Sequence, residues 1–249
     1  MIIVPIPAFN DNYIWCIHDN VNAIVVDPGD HIVVDQFLKQ HNLNLSSILV
    51  THHHFDHTGG ILELKNKFSP HIYGPLGNIN GIDTTVSEGD IVVDNSLKIK
   101  FEVYEIPGHT LDHIAFKSQN NLFCGDTIFS SGCGRVFEGT HLQMYNSLKK
   151  LSSFSDDTKI YCAHEYTLNN IDFAKSIEPN NADLLQRETD VKKLRAENKP
   201  SVPTTLSMER KINPFLRCSE KNLIKKFQNN NLTKEIEIFT HIRKLKDNF

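Results

Sequence analysis

Ten residues, Thr51-His52-His53-His54-Phe55-Asp56-His57-Thr58-Gly59-Gly60, hold the densest set of ligand-type side chains in this chain. They follow an apolar, β-like run at 47–50 and precede a helical pattern that begins at Ile61. In an extended backbone, side chains two residues apart point the same way. His52 and His54 therefore converge on one point while His53 faces the other side. Asp56 and His57 stand where the chain turns into the helix and address a second point nearby. Imidazoles with a carboxylate among them suit zinc or iron. The competing account is a polar loop that happens to be rich in histidine. So many ligand types between a strand and a Gly-Gly helix start argue against it.

The elements that position these groups repeat one device, a short apolar strand with a ligand-type residue just beyond its end. His109 follows the alternating run 98–104 and Pro107-Gly108, Asp126 follows 121–124 and Gly125, and His164 follows 159–162 and Ala163. Taken singly, each histidine reads as an ordinary core or surface residue; taken together they form a constellation. Asp27 closes the run 23–26 with Pro28-Gly29-Asp30, either as a turn residue or as a carboxylate behind the site. Helical spacing is predicted after Asp30, over 60–68 and over 141–152, and strands fill much of the interval between 71 and 124. Strands alternating with helices predict an α/β layered fold, with ligands at the carboxyl ends of strands. Beyond about 170 the pattern becomes helical, at 171–177, 182–198, 219–229 and 233–246, with a breaker at Lys199-Pro200-Ser201-Val202-Pro203. Two domains are expected, a metal-binding one over 1–172 and a smaller helical one over 173–249.

Composition narrows the function classes. The 249 residues are enough to bury a real core, and 22% charged with 39% hydrophobic residues is ordinary for a globular protein. The five cysteines are odd in number and contain no Cys-x-x-Cys pair, which disfavours a disulfide framework or a thiolate zinc site and fits a reducing compartment. The first residues, Met1-Ile2-Ile3-Val4-Pro5, carry no basic leader, and no apolar run approaches the roughly 20 residues that span a bilayer. A cytoplasmic protein without a membrane partner is expected. Residues 190–249 hold 14 Lys and Arg against 7 Asp and Glu, so a net −4 for the whole leaves the remainder at −11. A basic end on an acidic body suggests a local contact with a small anion, or merely a solvated helical face. Without a continuous basic groove, nucleic acid is not expected as a partner.

The motif Thr-His-His-His-Phe-Asp-His, followed by Gly-His-Thr at 108–110, Gly-Asp-Thr at 125–127 and His-Glu-Tyr-Thr at 164–167, resembles the metallo-β-lactamase superfamily. Within it, Gly132-Cys133-Gly134-Arg135-Val136-Phe137-Glu138-Gly139-Thr140, Asn213-Pro214-Phe215 and Arg243-Lys244-Leu245-Lys246-Asp247 resemble the glyoxalase II (hydroxyacylglutathione hydrolase) family. The resemblance implies a four-layer αβ/βα sandwich with a smaller helical C-terminal part and two divalent ions, zinc first, with iron or manganese as alternatives. By matching position, His52, His54 and His109 would hold one ion, Asp56, His57 and His164 the other, and Asp126 would bridge them. Two cations sharing a water lower its pKa toward neutrality, so hydroxide becomes available to attack a thioester carbonyl. Asp56 and Asp126 are thus catalytic by way of the metals, and no serine or cysteine nucleophile is needed.

The implied substrate is S-D-lactoylglutathione, hydrolysed to glutathione and D-lactate in methylglyoxal detoxification by a monomer. Arg135, Phe137, Tyr166, Arg243 and Lys246 are the implied glutathione contacts. Family members commonly carry lysine where Arg135 stands and tyrosine where Phe137 stands, so donor geometry changes and one hydroxyl is missing. Other chemistries of the superfamily are a persulfide dioxygenase with a single iron, a β-lactamase, a lactonase and a nuclease. Asp56 together with His164, the Gly-Cys-Gly loop and the basic tail favour the two-metal thioesterase. A structural metal module is disfavoured, because the constellation supplies more ligands than one closed four-coordinate site takes.

Overall fold

The computed structural model describes residues 1–228 and 232–249. Its strands are β1 (Ile2–Ala8), β2 (Asn12–His18), β3 (Asn22–Val26), β4 (Asn44–Leu49), β5 (His71–Gly74), β6 (Thr84–Thr85), β7 (Ile91–Asp94), β8 (Ile99–Glu105), β9 (Ile114–Ser118), β10 (Asn121–Gly125), β11 (Ile128–Phe129), β12 (Gly132–Cys133), β13 (Lys159–Cys162) and β14 (Thr204–Thr205). Its helices are α1 (His31–His41), α2 (Phe55–Thr58), α3 (Ile61–Phe68), α4 (His141–Leu151), α5 (Thr167–Ile177), α6 (Ala182–Ala196), α7 (Leu206–Ile212), α8 (Lys221–Phe227) and α9 (Glu235–Asp247). This is the α/β class that the sequence predicts. Two compact units emerge: the first holds 1–105, 112–125 and 161–164, the second 106–111, 126–160 and 165–249.

In the first unit, β1 to β6 form one sheet in sequence order. β1, β2 and β3 pair antiparallel, whereas β3, β4, β5 and β6 run parallel. All seven residues of β2 are buried, so this strand is covered on both faces. One face packs on α1 and α3 through Ile14, Cys16, Val25, Ile48, Val34, Leu38, Ile61 and Leu64. On the other face Trp15 meets Tyr161 of β13 edge-on at 4.9 Å and donates its indole N–H to the Cys162 carbonyl at 2.9 Å. Tyr161 in turn stacks on Phe123 of β10, with centroids 4.9 Å apart. The second sheet of this unit is the antiparallel run β7-β8-β9-β10 with the Tyr161–Cys162 end of β13.

The second unit is mostly helical. It also contains the Lys159–Ile160 end of β13, paired antiparallel with β14, and the hairpin β11–β12. Its core joins Ile171 and Ala174 of α5 to Leu184 and Val191 of α6 and to Ile212 of α7.

Element limits differ from the sequence reading in informative ways. The strand before the histidine cluster covers 44–49 rather than 47–50. A single turn of helix, α2, precedes the predicted helix at 60–68, so Asp56 and His57 stand on a helical turn. The helix predicted from 171 starts at Thr167, directly after the His164 motif. Of the stretch 219–229, α8 covers Lys221–Phe227, and residue 229 lies outside the described residues. The two-residue strands escaped the sequence because they are too short for periodicity to register.

Candidate metal centre

Parallel pairing of β3 with β4 sets Asp27, just past β3, beside the residues that follow β4. Asp27 is buried and holds a left-handed backbone, φ 54°. Its Oδ1 accepts from the Thr51 amide at 2.7 Å, and its Oδ2 accepts from the Thr51 hydroxyl at 2.7 Å and lies 3.0 Å from His57 Nδ1. The Thr51 hydroxyl has given its only proton to a carboxylate, so toward His52 Nδ1, 3.0 Å away, it can only accept. His52 and His57 therefore both carry a ring proton on Nδ1 and turn Nε2 toward His54 and Asp56 respectively. Asp27, which the sequence left between turn residue and supporting carboxylate, fixes the tautomer of two predicted ligands.

The same logic applies to His164. Its Nδ1 lies 2.7 Å from Asp11 Oδ1, at the tip of the β1–β2 hairpin. Its Nε2 lies 3.4 Å from Asp56 Oδ2, and His57 Nε2 lies 3.3 Å from the same oxygen. Asn12 donates to that oxygen at 2.9 Å. Burial would raise the Asp56 carboxyl, but the surrounding His164, His57 and Asn12 hold it well below the usual carboxylate range. Asp56, His57 and His164 thus form one cluster able to hold a cation. His52 Nε2 and His54 Nδ1 form another donor pair, 3.2 Å apart. His53 pairs with Asp112 at 3.0 Å, and its ring lies 5.0 Å from that of His54. His113 stacks flat on His52, 4.4 Å between centroids, and confines its ring.

In the second unit, His109 Nε2 lies 3.4 Å from Asp126 Oδ2, and His109 Nδ1 lies 2.7 Å from the Arg135 carbonyl. That carbonyl can only accept, so His109 too carries a ring proton on Nδ1 and turns Nε2 toward Asp126. Two donors bound at about 2.05 Å to a tetrahedral ion stand about 3.3 Å apart. The separations of 3.2, 3.3, 3.4 and 3.4 Å within these groups match that edge. The residues fit divalent metal ions, with Nδ1 of four imidazoles held by acceptors behind them.

Glycine is required where backbones touch. A Cβ on Gly29 would lie 1.9 Å from the Asp56 carbonyl oxygen, and one on Gly134 would lie 1.9 Å from that of Asp126.

All five predicted glutathione contacts lie in the second unit. The Arg135 guanidinium lies over the Phe137 ring at 5.6 Å, with its Nε 3.8 Å from Asp247, and both side chains are exposed. Tyr166 packs edge-on against Phe129 at 5.3 Å. Lys246 lies over Phe173 and Phe249 and donates to the Asn169 carbonyl at 3.2 Å. Arg243 is buried, donates to the Cys133 carbonyl at 2.9 Å and pairs with Asp247 at 3.1 Å. Sequence reasoning missed Asp11, Asn12, Asp112 and His113. The polar run Asn10-Asp11-Asn12 between two apolar strands signals a turn, but nothing in it says toward which residue the turn points.

Residues 10–81 match the family model described as the metallo-β-lactamase superfamily, and residues 165–249 match that described as the hydroxyacylglutathione hydrolase C-terminus. A hydroxyacylglutathione hydrolase of Nitrosomonas europaea is 45% identical over 251 aligned residues, spanning 99% of this chain and 96% of that protein. Among solved structures, the chain resembles ETHE1 from Myxococcus xanthus (24% identity, TM-score 0.68, 99% of this chain and 98% of that one). It also resembles the BLEG-1 B3 metallo-β-lactamase (21% identity, TM-score 0.63, 86% and 98%), and these likenesses place the fold. With ligand-type residues beyond four strand ends and sequence similarity along nearly its whole length, the chain belongs to the hydroxyacylglutathione hydrolase family of the metallo-β-lactamase superfamily.

Proposed function

We propose that this chain is a binuclear metal-dependent thioesterase. It hydrolyses S-D-lactoylglutathione and other S-2-hydroxyacylglutathiones to glutathione and a 2-hydroxy acid, here D-lactate, the second step of methylglyoxal detoxification. The observation that carries this reading is the family membership of a chain whose donor atoms stand at the edge length of metal coordination. His52, His54 and His109 would hold one ion, Asp56, His57 and His164 the second, and Asp126 would bridge. Zinc is the first choice, with iron and manganese open to the same donors. When bound, such ions supply Lewis acidity, which brings a water's pKa toward neutrality and polarises the thioester carbonyl.

The chain's own residues prepare for that chemistry. Asp27, Thr51, Asp11 and the Arg135 carbonyl hold ring protons on Nδ1 and leave Nε2 turned toward the other candidate ligands. Asp56 stays ionised, which favours cations at its cluster. A thiol ionises near pH 8.5, so the departing glutathione needs no strong acid from the protein. Arg135 and Lys246 offer cations to the tripeptide's carboxylates, Phe137 and Tyr166 offer ring surface and a hydroxyl, and Arg243 steadies the loop from beneath. The helical part from 173 onward supplies the latter cationic contacts. Five buried cysteines, odd in number and without a Cys-x-x-Cys pair, support a reducing, cytoplasmic setting, and a monomer suffices for every contact named.

The test is thiol release from S-D-lactoylglutathione by purified protein, before and after chelation, together with elemental analysis. The expected result is activity lost on chelation, restored by added metal, with about two ions per chain. Absence of metal-dependent thiol release sinks the proposal, and a stable content of one iron points to the dioxygenase instead.

A further inference from the structure

One carboxylate in the second unit takes no part in the chemistry above, yet it is fully buried. Glu209, on α7, accepts from the Ser131 amide at 2.7 Å, the Thr204 hydroxyl at 2.7 Å, the Ser130 hydroxyl at 3.0 Å and Asn213 Nδ2 at 3.1 Å. Burial pushes its carboxyl pKa up while these four donors oppose the rise. Taking a carboxylate out of water is costly unless its lone pairs are well satisfied, and here two are filled by the tip of the β11–β12 hairpin. Ser131, at that tip, holds a left-handed backbone with φ 60°, a conformation sparsely populated by residues other than glycine. Asn213 tightens the same turn, its Nδ2 lying 2.8 Å from the Gly132 carbonyl and 3.1 Å from that of Phe129. Arg187 supplies a nearby cation, reaching the Ser130 hydroxyl at 3.4 Å and the Ser201 carbonyl at 2.6 Å.

This hairpin lies in the chain between Asp126 and Arg135, and its closure governs both. The Gly134 amide donates to the Thr127 carbonyl at 3.1 Å, and Gly134 packs so closely on the Asp126 backbone that a Cβ would not fit. The next carbonyl, that of Arg135, accepts the His109 ring proton. We propose that Glu209 is a positioning residue for the His109–Asp126 donor pair. It locks the hairpin turn, the turn sets the Asp126 backbone and the Arg135 carbonyl, and the carbonyl orients the imidazole. The proposal rests on the two-metal reading for what His109 and Asp126 do.

The experiment compares Glu209→Gln with Thr204→Val. Gln keeps the volume but turns one acceptor into a donor, facing a group that itself donates. Val removes a donor that comes from β14, off the hairpin. Metal retention against a graded chelator, Tm and the KM for S-D-lactoylglutathione are read on both and on wild type. Glu209→Gln is expected to hold metal about 10-fold more weakly, the lower end of what groups supporting metal ligands contribute, with a raised KM. Thr204→Val is expected to lower Tm while retaining metal as wild type does. Wild-type metal retention and KM in Glu209→Gln, with only Tm lowered, would overturn the proposal. If Glu209→Gln does not fold, Ser130→Ala, which cuts one hairpin tether and leaves three donors on the carboxylate, is read by the same criteria. A wild-type protein that binds metal but releases no thiol would refute the proposed activity, while the metal-retention comparison would still decide the role of Glu209.

Discussion

Replacing Asp27 with asparagine tests whether the ligands are set in advance. The amide oxygen of the new side chain can still accept from the Thr51 amide. Its nitrogen, however, would face two groups that now donate, the Thr51 hydroxyl and His57 Nδ1. If the hydroxyl turns to accept from the amide, its own proton loses the carboxylate and competes at His52 Nδ1; if His57 moves its proton, Nε2 becomes a hydrogen-bond donor and cannot bind a cation. Hydrogen bonds to a charged group are worth about 1.5–3 kcal/mol each, so losing two in this buried place costs about 3–6 kcal/mol. That is a large share of the roughly 5–15 kcal/mol by which a folded domain is stable. Metal affinity is expected to fall about 10- to 100-fold, or roughly 1.4–2.7 kcal/mol. Dialysis against graded chelator followed by elemental analysis measures the affinity, and calorimetry measures the unfolding. An Asp27→Asn protein that keeps its metals within about twofold of wild type, with unchanged Tm, would refute the tautomer argument.

Two further outcomes are expected. Asp11→Ala removes the His164 Nδ1 acceptor from a side chain that is partly exposed; metal retention should drop about 10-fold with little change in Tm, and equal metal contents would count against it. Lys246 has its ammonium pKa lowered to about 8, mainly by burial, with Arg243 adding repulsion. Because the folded value lies below the ordinary value near 10.4, the charged form is the disfavoured one in the fold, and the charge is lost as pH rises through about 8. The KM for an anionic glutathione thioester should therefore climb above pH 8 in the wild type and stay flat in Lys246→Arg; a flat wild-type KM between pH 7 and 9.5 would exclude Lys246 as a substrate contact.

Much of the candidate site was legible because metal ligation is a matter of residue type and short spacing. His52, His54, Asp56 and His57 lie within six residues, a spacing that sequence alone displays. The α/β class was equally legible, since strand and helix periods differ and each ligand follows an apolar run. Asp11, Asn12, His113 and Glu209 were not legible. Each is an ordinary residue type in an ordinary local setting, and each matters through one partner between 44 and 153 positions away or, for Glu209, through a turn some 78 positions upstream.

The sequence by itself displayed the candidate donor residues and the family, because these depend on side-chain identity and local backbone period. Only the tertiary structure decided which nitrogen of His52, His57, His109 and His164 is held from behind. Pairing β3 in parallel with β4 brings Asp27 against Thr51 and His57, and the β1–β2 hairpin brings Asp11 against His164. A histidine's tautomer is chosen by what its other nitrogen touches, and in this chain that contact is made by residues distant in sequence.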